Sequence, residues 1–272
     1  MRRWIRTTPG LTRLGVVVLG LWACAAHAVC TAPEHAERAQ LKTVNDGDTL
    51  TLTDGRRVRL LGINSPELRP RQTLGAEARA ALQAYLGDSG ELLLEPGQQA
   101  RDRYGRVLAH VYRGPGEPAA EDVLLRAGLA WQVVIPPNLS RLDCLSDAET
   151  EARQQQRGVW AESDYAPLAA ADARPADAGF RRLQGRVVSV TQSRYSWWLE
   201  LDGPVVVKLD KAELHYFDQA LGGQSSPRQW QGRTLALRGW LVDRSKSAAA
   251  QQRQHAPLMI RLRHPAMLES VD

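Results

Sequence analysis

Between Val44 and Glu67 the chain reads VNDGDTLTLTDGRRVRLLGINSPE. Asp46 and Asp48 flank Gly47, Asn64, Ser65, Pro66 and Glu67 close the stretch, and Arg59 lies between the two ends. Carboxylate and amide oxygens around a gap suit a hard cation such as Ca²⁺. A carboxylate free of metal can act on water, and an arginine can grip a phosphate through two parallel hydrogen bonds. Together these are the parts needed to hydrolyse a phosphodiester. Taken singly, Asp-Gly-Asp and Asn-Ser-Pro-Glu are also ordinary turn formers.

For the two ends to meet, the chain must double back between them. Alternating residues on either side of Asp54-Gly55 predict a β-hairpin, which carries Asp46 and Asp48 beside Asn64 to Glu67. Downstream, the Ala-, Glu-, Arg- and Leu-rich run Leu74 to Leu86 predicts a helix stopped by Gly87. Glu91 to Glu95 and Val107 to Tyr112 read as strands with a turn over Arg101 to Arg106. A second helix is expected from about Ala119 to Ala127, between Pro118 and Gly128, and a third from Leu142 to Arg157, before Gly158.

Three ordered segments carry a resemblance: Val44 to Thr49, Arg59 to Glu67, and Asp102-Arg103-Tyr104-Gly105-Arg106. They resemble the signature blocks of the thermonuclease (staphylococcal-nuclease-like) family, and Glu149 to Trp160 resembles that family's last helix. The likeness runs from about residue 41 to 160, a plausible size for one domain. It implies a five-stranded Greek-key barrel of OB type with three helices, an α+β protein that is mainly β. It further implies Asp48, Asn64 and the carbonyl of Ser65 as Ca²⁺ ligands and Glu67 as the base for the attacking water. Arg59 and Arg106 would hold the phosphoryl oxygens, and Arg103 and Tyr104 would meet a nucleotide's terminal phosphate. The implied activity is hydrolysis of DNA and RNA that leaves 3′-phosphate ends.

Two departures from the family pattern stand out. Asn64 replaces a second aspartate ligand, so metal affinity should be weaker. After Leu129-Ala130, where the prototype carries two tyrosines lining the base site, the segment Trp131 to Pro137 has none. The competing reading is a degenerate module that binds nucleic acid without cutting it; a third is an envelope protein whose barrels bind a protein partner.

The start and end of the chain add context. Arg2, Arg3, Arg6 and Arg13 precede an apolar run from Leu14 to Ala26 and a small-x-small site at Ala26-His27-Ala28. This predicts a signal peptide over residues 1–28, with a periplasmic or secreted product and no permanent membrane span. Leu21-Trp22-Ala23-Cys24 keeps open a lipoprotein anchored through Cys24. The formal charge of +5 includes those four arginines and no acid before residue 29, so the remainder carries +1. Attraction to nucleic acid must therefore come from a local patch, and Arg56, Arg57, Arg59, Arg69, Arg71, Arg101, Arg103 and Arg106 supply one. Cys30 and Cys144 remain after cleavage, and two thiols in an exported chain predict one disulfide.

Residues 29–160 thus form the expected first domain, and the Ala-, Asp- and Pro-rich residues 161–180 read as a linker. Residues 181–272 alternate as a second, smaller OB-like barrel, with strands at Leu183 to Val190, Trp197 to Leu201, Val205 to Leu209, Thr234 to Val242 and Leu258 to Leu262. A short helix is expected at Ala212 to Leu221 and a loop over residues 244–256. Tyr195, Trp197 and Trp198 beside Arg194 are candidates for stacking on bases, although one of the two tryptophans should face the core. The expected molecule is a monomer acting on nucleic acid.

Overall fold

The computed structural model describes residues 29–68, 72–87, 90–218, 226–246 and 256–272. The expected signal peptide with Cys24, and Arg69 and Arg71, lie outside the described residues.

The hairpin forms around the Asp54-Gly55 turn. After β1 (Glu37–Val44), β2 (Thr49–Leu52) pairs antiparallel with β3 (Arg57–Leu60), Thr49 opposite Arg59. Strand periodicity sends Leu50, Leu52, Val58 and Leu60 to one face, where all four are buried, and Arg57 and Arg59 to the other. Next come β4 (Ile63–Asn64), α1 (Gly75–Leu86), β5 (Gly90–Arg101) and β6 (Val107–Tyr112). β6 runs parallel to β3, with Val58 opposite Val107, and β5 returns to β1, so the ring β1-β2-β3-β6-β5 closes. α2 (Ala120–Arg126), β7 (Trp131–Gln132) and α3 (Leu142–Gln154) complete this half, with Asn64 of β4 opposite Trp131 of β7.

The expected barrel and its three helices are present, with shifted ends. β5 extends past Glu95 to Arg101 because its pairing with β6 resumes beyond a register shift between Pro96 and Arg101. α3 stops at Gln154, where the chain turns through Gln156 at a φ of 49°.

The second barrel comprises β9 (Gly179–Gln192), β10 (Ser196–Leu201), β11 (Val205–Asp210), β12 (Thr234–Asp243) and β13 (Leu258–Arg261), preceded by β8 (Leu168–Ala169) and followed by β14 (Leu268–Val271). β11 pairs in parallel with β13, and β12 closes on β9. Both barrels share one strand order: three meandering strands, a parallel pair between the third and fifth, and a fourth that returns to the first. The helix expected at Ala212 to Leu221 is a 3₁₀ segment over Lys211–Phe217, and residues 219–225 and 247–255 lie outside the described part.

Between the barrels, the stretch of linker composition carries short 3₁₀ turns and β8, which pairs with β9. The barrels also share packing. Val133 and Val134 of the first join the apolar core of the second. Arg238, 3 % exposed at its side chain, bonds Glu149 of α3 at 2.6 Å, and the other oxygen of Glu149 accepts the Gln132 amide at 2.6 Å. Among the described residues no helix is long and apolar enough to cross a membrane.

Cys30 and Cys144 are bonded, with their Cα atoms 5.6 Å apart, fastening the chain's approach to β1 onto α3. The bond closes a loop between residues 114 apart. Reduction should therefore lower the unfolding free energy by about 3–5 kcal/mol by loop entropy. Urea titrations of oxidised and reduced protein check this; coincident midpoints would contradict it.

Candidate active site

Asp48 enters β2 with its carboxylate turned inward, and three donors converge on it. The Thr49 hydroxyl donates at 3.1 Å, the Ser65 amide at 2.9 Å and the Arg59 guanidinium at 3.1 Å. These bonds tie one end of the hairpin stretch to the other. The backbone assists: Leu60 donates its amide to the Asp48 carbonyl at 2.9 Å. Asp46 accepts the Asp48 amide at 3.0 Å and so closes the turn. Gly47 sits where nothing larger fits, since a Cβ there would lie 2.7 Å from both Ala78 of α1 and Ser65.

Arg59 is turned into the site. It donates to the Leu60 carbonyl at 2.6 Å and to the Asn64 amide oxygen at 3.2 Å, besides Asp48. Asn64 in turn donates to the Ser65 carbonyl at 3.3 Å. Both oxygens expected to face a metal thus already accept one hydrogen bond, and each retains a second lone pair.

Arg106 ends the turn before β6. Asp102 organises that turn, accepting the Tyr104 and Arg106 amides at 2.9 and 3.0 Å and Arg106 Nε at 2.7 Å. Burial pushes the Asp102 carboxyl up, but the bonds from Arg106 and Tyr104 outweigh it and hold the group below its ordinary range. The terminal nitrogens of Arg106 have no partner among the described residues. Tyr104, 69 % exposed, lies beside it, with the Arg103 and Arg106 guanidinium carbons 4.8 and 5.6 Å from its ring.

Glu67 opens to solvent at the far end of the stretch. Partial burial first, then the charges of Asp48 and Asp46, raise its carboxyl above the ordinary value, while Arg59 and Arg106 draw it back. Burial and the Asp48 charge likewise raise Asp46, against hydrogen bonds from the Asp48 amide and Thr49. Glu67 thus lies within electrostatic reach of Asp46, Asp48, Arg59 and Arg106, and Asp46 within that of Asp48 and Arg59.

Three carboxylates only partly offset by two guanidiniums, with an amide and a carbonyl oxygen alongside, fit a hard divalent cation. Among the described residues no three His, Cys, Asp or Glu side chains converge closely enough to hold one alone. Such an ion would keep water and substrate oxygens in its shell.

Residues not singled out by motif also matter. Asp102, two residues before Tyr104 and four before Arg106, could have been found by that spacing. Gln72, which exchanges hydrogen bonds with the Glu67 backbone, gave no signal. Trp131, in the segment lacking tyrosines, is 3 % exposed and packs against Tyr165 and Phe180 at centroid distances of 4.8 and 5.3 Å. In the second barrel Trp197 joins the core, as alternation requires of one tryptophan. Trp198 is covered by Lys208 and Arg244, and Tyr195 alone stands open, at 68 % exposure.

A closed barrel with an acidic and guanidinium-bearing rim at its first hairpin defines a class that the comparisons with known proteins place. Residues 57–162 match the staphylococcal nuclease homologue family. An uncharacterized endonuclease of Escherichia coli is 34 % identical over 127 residues, spanning 46 % of this chain and 77 % of that protein. The thermonuclease of Staphylococcus intermedius is 33 % identical over 127 residues, 44 % of this chain and 74 % of that protein. The endonuclease YncB of Bacillus subtilis is 33 % identical over 129 residues, 44 % of this chain and 60 % of that protein. The chain belongs to the staphylococcal nuclease homologue family.

The raised carboxyls have a consequence for stability. Glu67 and Asp46 bind protons more tightly folded than unfolded. Their ionisation costs stability, a cost absent below the ordinary carboxylate range and complete once pH passes the raised values. In metal-free buffer Glu67→Gln should melt above the parent at pH 7, and the gap should close below about pH 4. Equal melting temperatures across that range would show that the rim is not under charge strain.

Proposed function

We propose that this chain is an exported, Ca²⁺-dependent endonuclease that hydrolyses DNA and RNA and leaves 3′-phosphate ends. The observation that carries the reading is the Asp48 carboxylate held by Arg59 and the Ser65 amide, with the Asn64 amide oxygen on the same guanidinium. Nuclease relatives support the reaction class.

Asp48 and Asp46, with Asn64 and the Ser65 carbonyl, are the groups that would hold the cation. A cation held by these groups would supply polarisation of the scissile phosphate and offset its charge. Glu67 orients an attacking water and takes its proton, and its raised carboxyl makes it a better base near neutral pH. Water adds to phosphorus while the bond to O5′ breaks and O5′ takes up a proton from solvent water, so the phosphate stays on the 3′ oxygen. Arg106 presents its free nitrogens to the phosphoryl oxygens, where charge grows most in the transition state. Arg59 reaches the same oxygens from its bonds to Asp48 and Asn64. Arg103 and Tyr104, beside Arg106, meet the nucleotide's outer phosphate. The closed Cys30–Cys144 pair supports an oxidising compartment, periplasmic or extracellular, entered by way of the 1–28 signal peptide. The protein acts as a monomer.

One observation favours the reading as a binding module: Arg59 is spent inward, partly on the uncharged Asn64. Digestion of plasmid and RNA by the mature protein, with Ca²⁺ or EDTA, decides between them. Cleavage should require the metal, with half-activation at about 0.1–1 mM, as for weakly charged sites. Glu67→Gln and Arg106→Ala should each lower kcat by about 100-fold or more. Metal-independent retention in a gel shift without cleavage selects the binding module.

A further inference from the structure

The backbone behind Glu67 is held from outside the first barrel. Glu67 donates its amide to the Gln72 side chain at 2.9 Å, and the Gln72 amide returns a bond to the Glu67 carbonyl at 2.9 Å. Gly75 lets the two segments close up, for a Cβ there would stand 2.6 Å from the Glu67 carbonyl oxygen. Next to Gln72, the Thr73 hydroxyl donates to Asp164 at 2.7 Å, and the Tyr165 hydroxyl donates to the Thr73 carbonyl. Asp164 and Tyr165 lie on the connector, past the end of the family match at residue 162.

Tyr165 also reaches the other end of the site. Its ring packs edge-on against Trp131, whose strand position faces Asn64. The second barrel fixes Tyr165 in turn: Arg182 of β9 donates to its carbonyl at 3.2 Å and binds both oxygens of Glu269, on β14, at 2.7 and 2.8 Å. A cleft of about 660 Å³, lined in part by Gln72, Thr73, Trp131, Tyr165 and Phe180, opens beside these contacts. Burial pushes the Tyr165 hydroxyl up to about 12, which keeps it a donor at working pH.

We propose that Asp164 and Tyr165 are positioning residues that clamp the Glu67 and Asn64 segments together, so that the second barrel sets the placement of the base. This rests on the reading of Glu67 given above. Neither residue is among the groups assigned above to the cation or the phosphate, so the loss should fall on turnover and not on binding.

The test uses the full mature chain with Tyr165→Phe, Thr73→Ala and Thr73→Ser. Tyr165→Phe keeps the ring on Trp131 and removes only the donor to Thr73; Thr73→Ala removes the bond to Asp164. Each of these two should lower kcat about tenfold, the scale of a misplaced catalytic group, with KM within about twofold. Hydrogen exchange at the Gln72 amide should quicken about tenfold in both, and Thr73→Ser should restore both readouts. Unchanged Gln72 exchange in both variants overturns the clamp, and quickened exchange with parental kcat overturns the positioning role. If the parent cuts nothing, the nuclease reading falls with the positioning role, while exchange at Gln72 still decides whether the clamp exists.

Discussion

The Asp48 carboxylate is the joint on which the site depends. It is nearly buried, and its charge is tolerable because Thr49, Ser65 and Arg59 all donate to it. Those same donors come from three places in the chain, so satisfying one carboxylate fixes the turn before β2, the end of the stretch at Ser65 and the guanidinium between them. The cost of this economy is repulsion. Asp46 and Glu67 must ionise beside a charge that is already present, and two arginines do not fully cancel the three acids. Carboxyls raised in this way are what a bound cation would rebalance, and perturbed carboxyls cluster at functional sites.

Strand order by itself does not make such a site. The second barrel repeats the first, strand for strand, yet its first hairpin turn runs Ser193-Arg194-Tyr195-Ser196. That turn is closed by Ser193 donating its amide to the Ser196 carbonyl at 2.8 Å and carries no carboxylate of its own; the Ser196 hydroxyl donates instead to Asp210 at the end of β11, at 2.6 Å. Its apolar interior is built, as the first one's is, largely from alternating Val and Leu, with Trp197 and Trp230 added. The chemistry belongs to the turn residues grafted on the barrel and not to the barrel.

Much of this was legible before any coordinates. The hairpin followed from an Asp-Gly turn between alternating runs, because turn geometry and strand period are local rules. Helix stops at Gly87 and Gly128 were likewise local. What the sequence concealed was longer in range. Arg59 facing Asp48 and Asn64 depends on the β2–β3 register, and the register shift in β5 depends on its partner β6. Residues 161–180 look like a linker because they lack large apolar side chains, yet short 3₁₀ turns, bonds to distant residues and the burial of Ala170 and Ala173 in the second barrel's core hold them. Composition reports the absence of a core and says nothing about such bonds. β8 and β14 were missed for a related reason: they are short edge strands whose pairing comes from β9 and β12, with little hydrophobic alternation of their own.

The joint between the barrels explains how a segment so poor in apolar groups can transmit position. Arg238 is buried between Glu149 of the first barrel and Glu269 of the second, 2.6 and 3.8 Å away. The ring of Trp160 lies near the guanidiniums of Arg153, Arg182 and Arg238, at 5.3, 4.9 and 5.9 Å. A buried charge set of this kind adds little net stability over an apolar contact, but separating it would strand unpaired charges, so it defines one relative placement of the two halves. Arg182 belongs to this set through Glu269 and also holds the Tyr165 carbonyl. The orientation fixed at the charged joint is thereby passed to Tyr165, and from Tyr165 to Thr73 on one side and Trp131 on the other. A connector needs no core of its own when short bonds and a few buried alanines tie it to both of its neighbours.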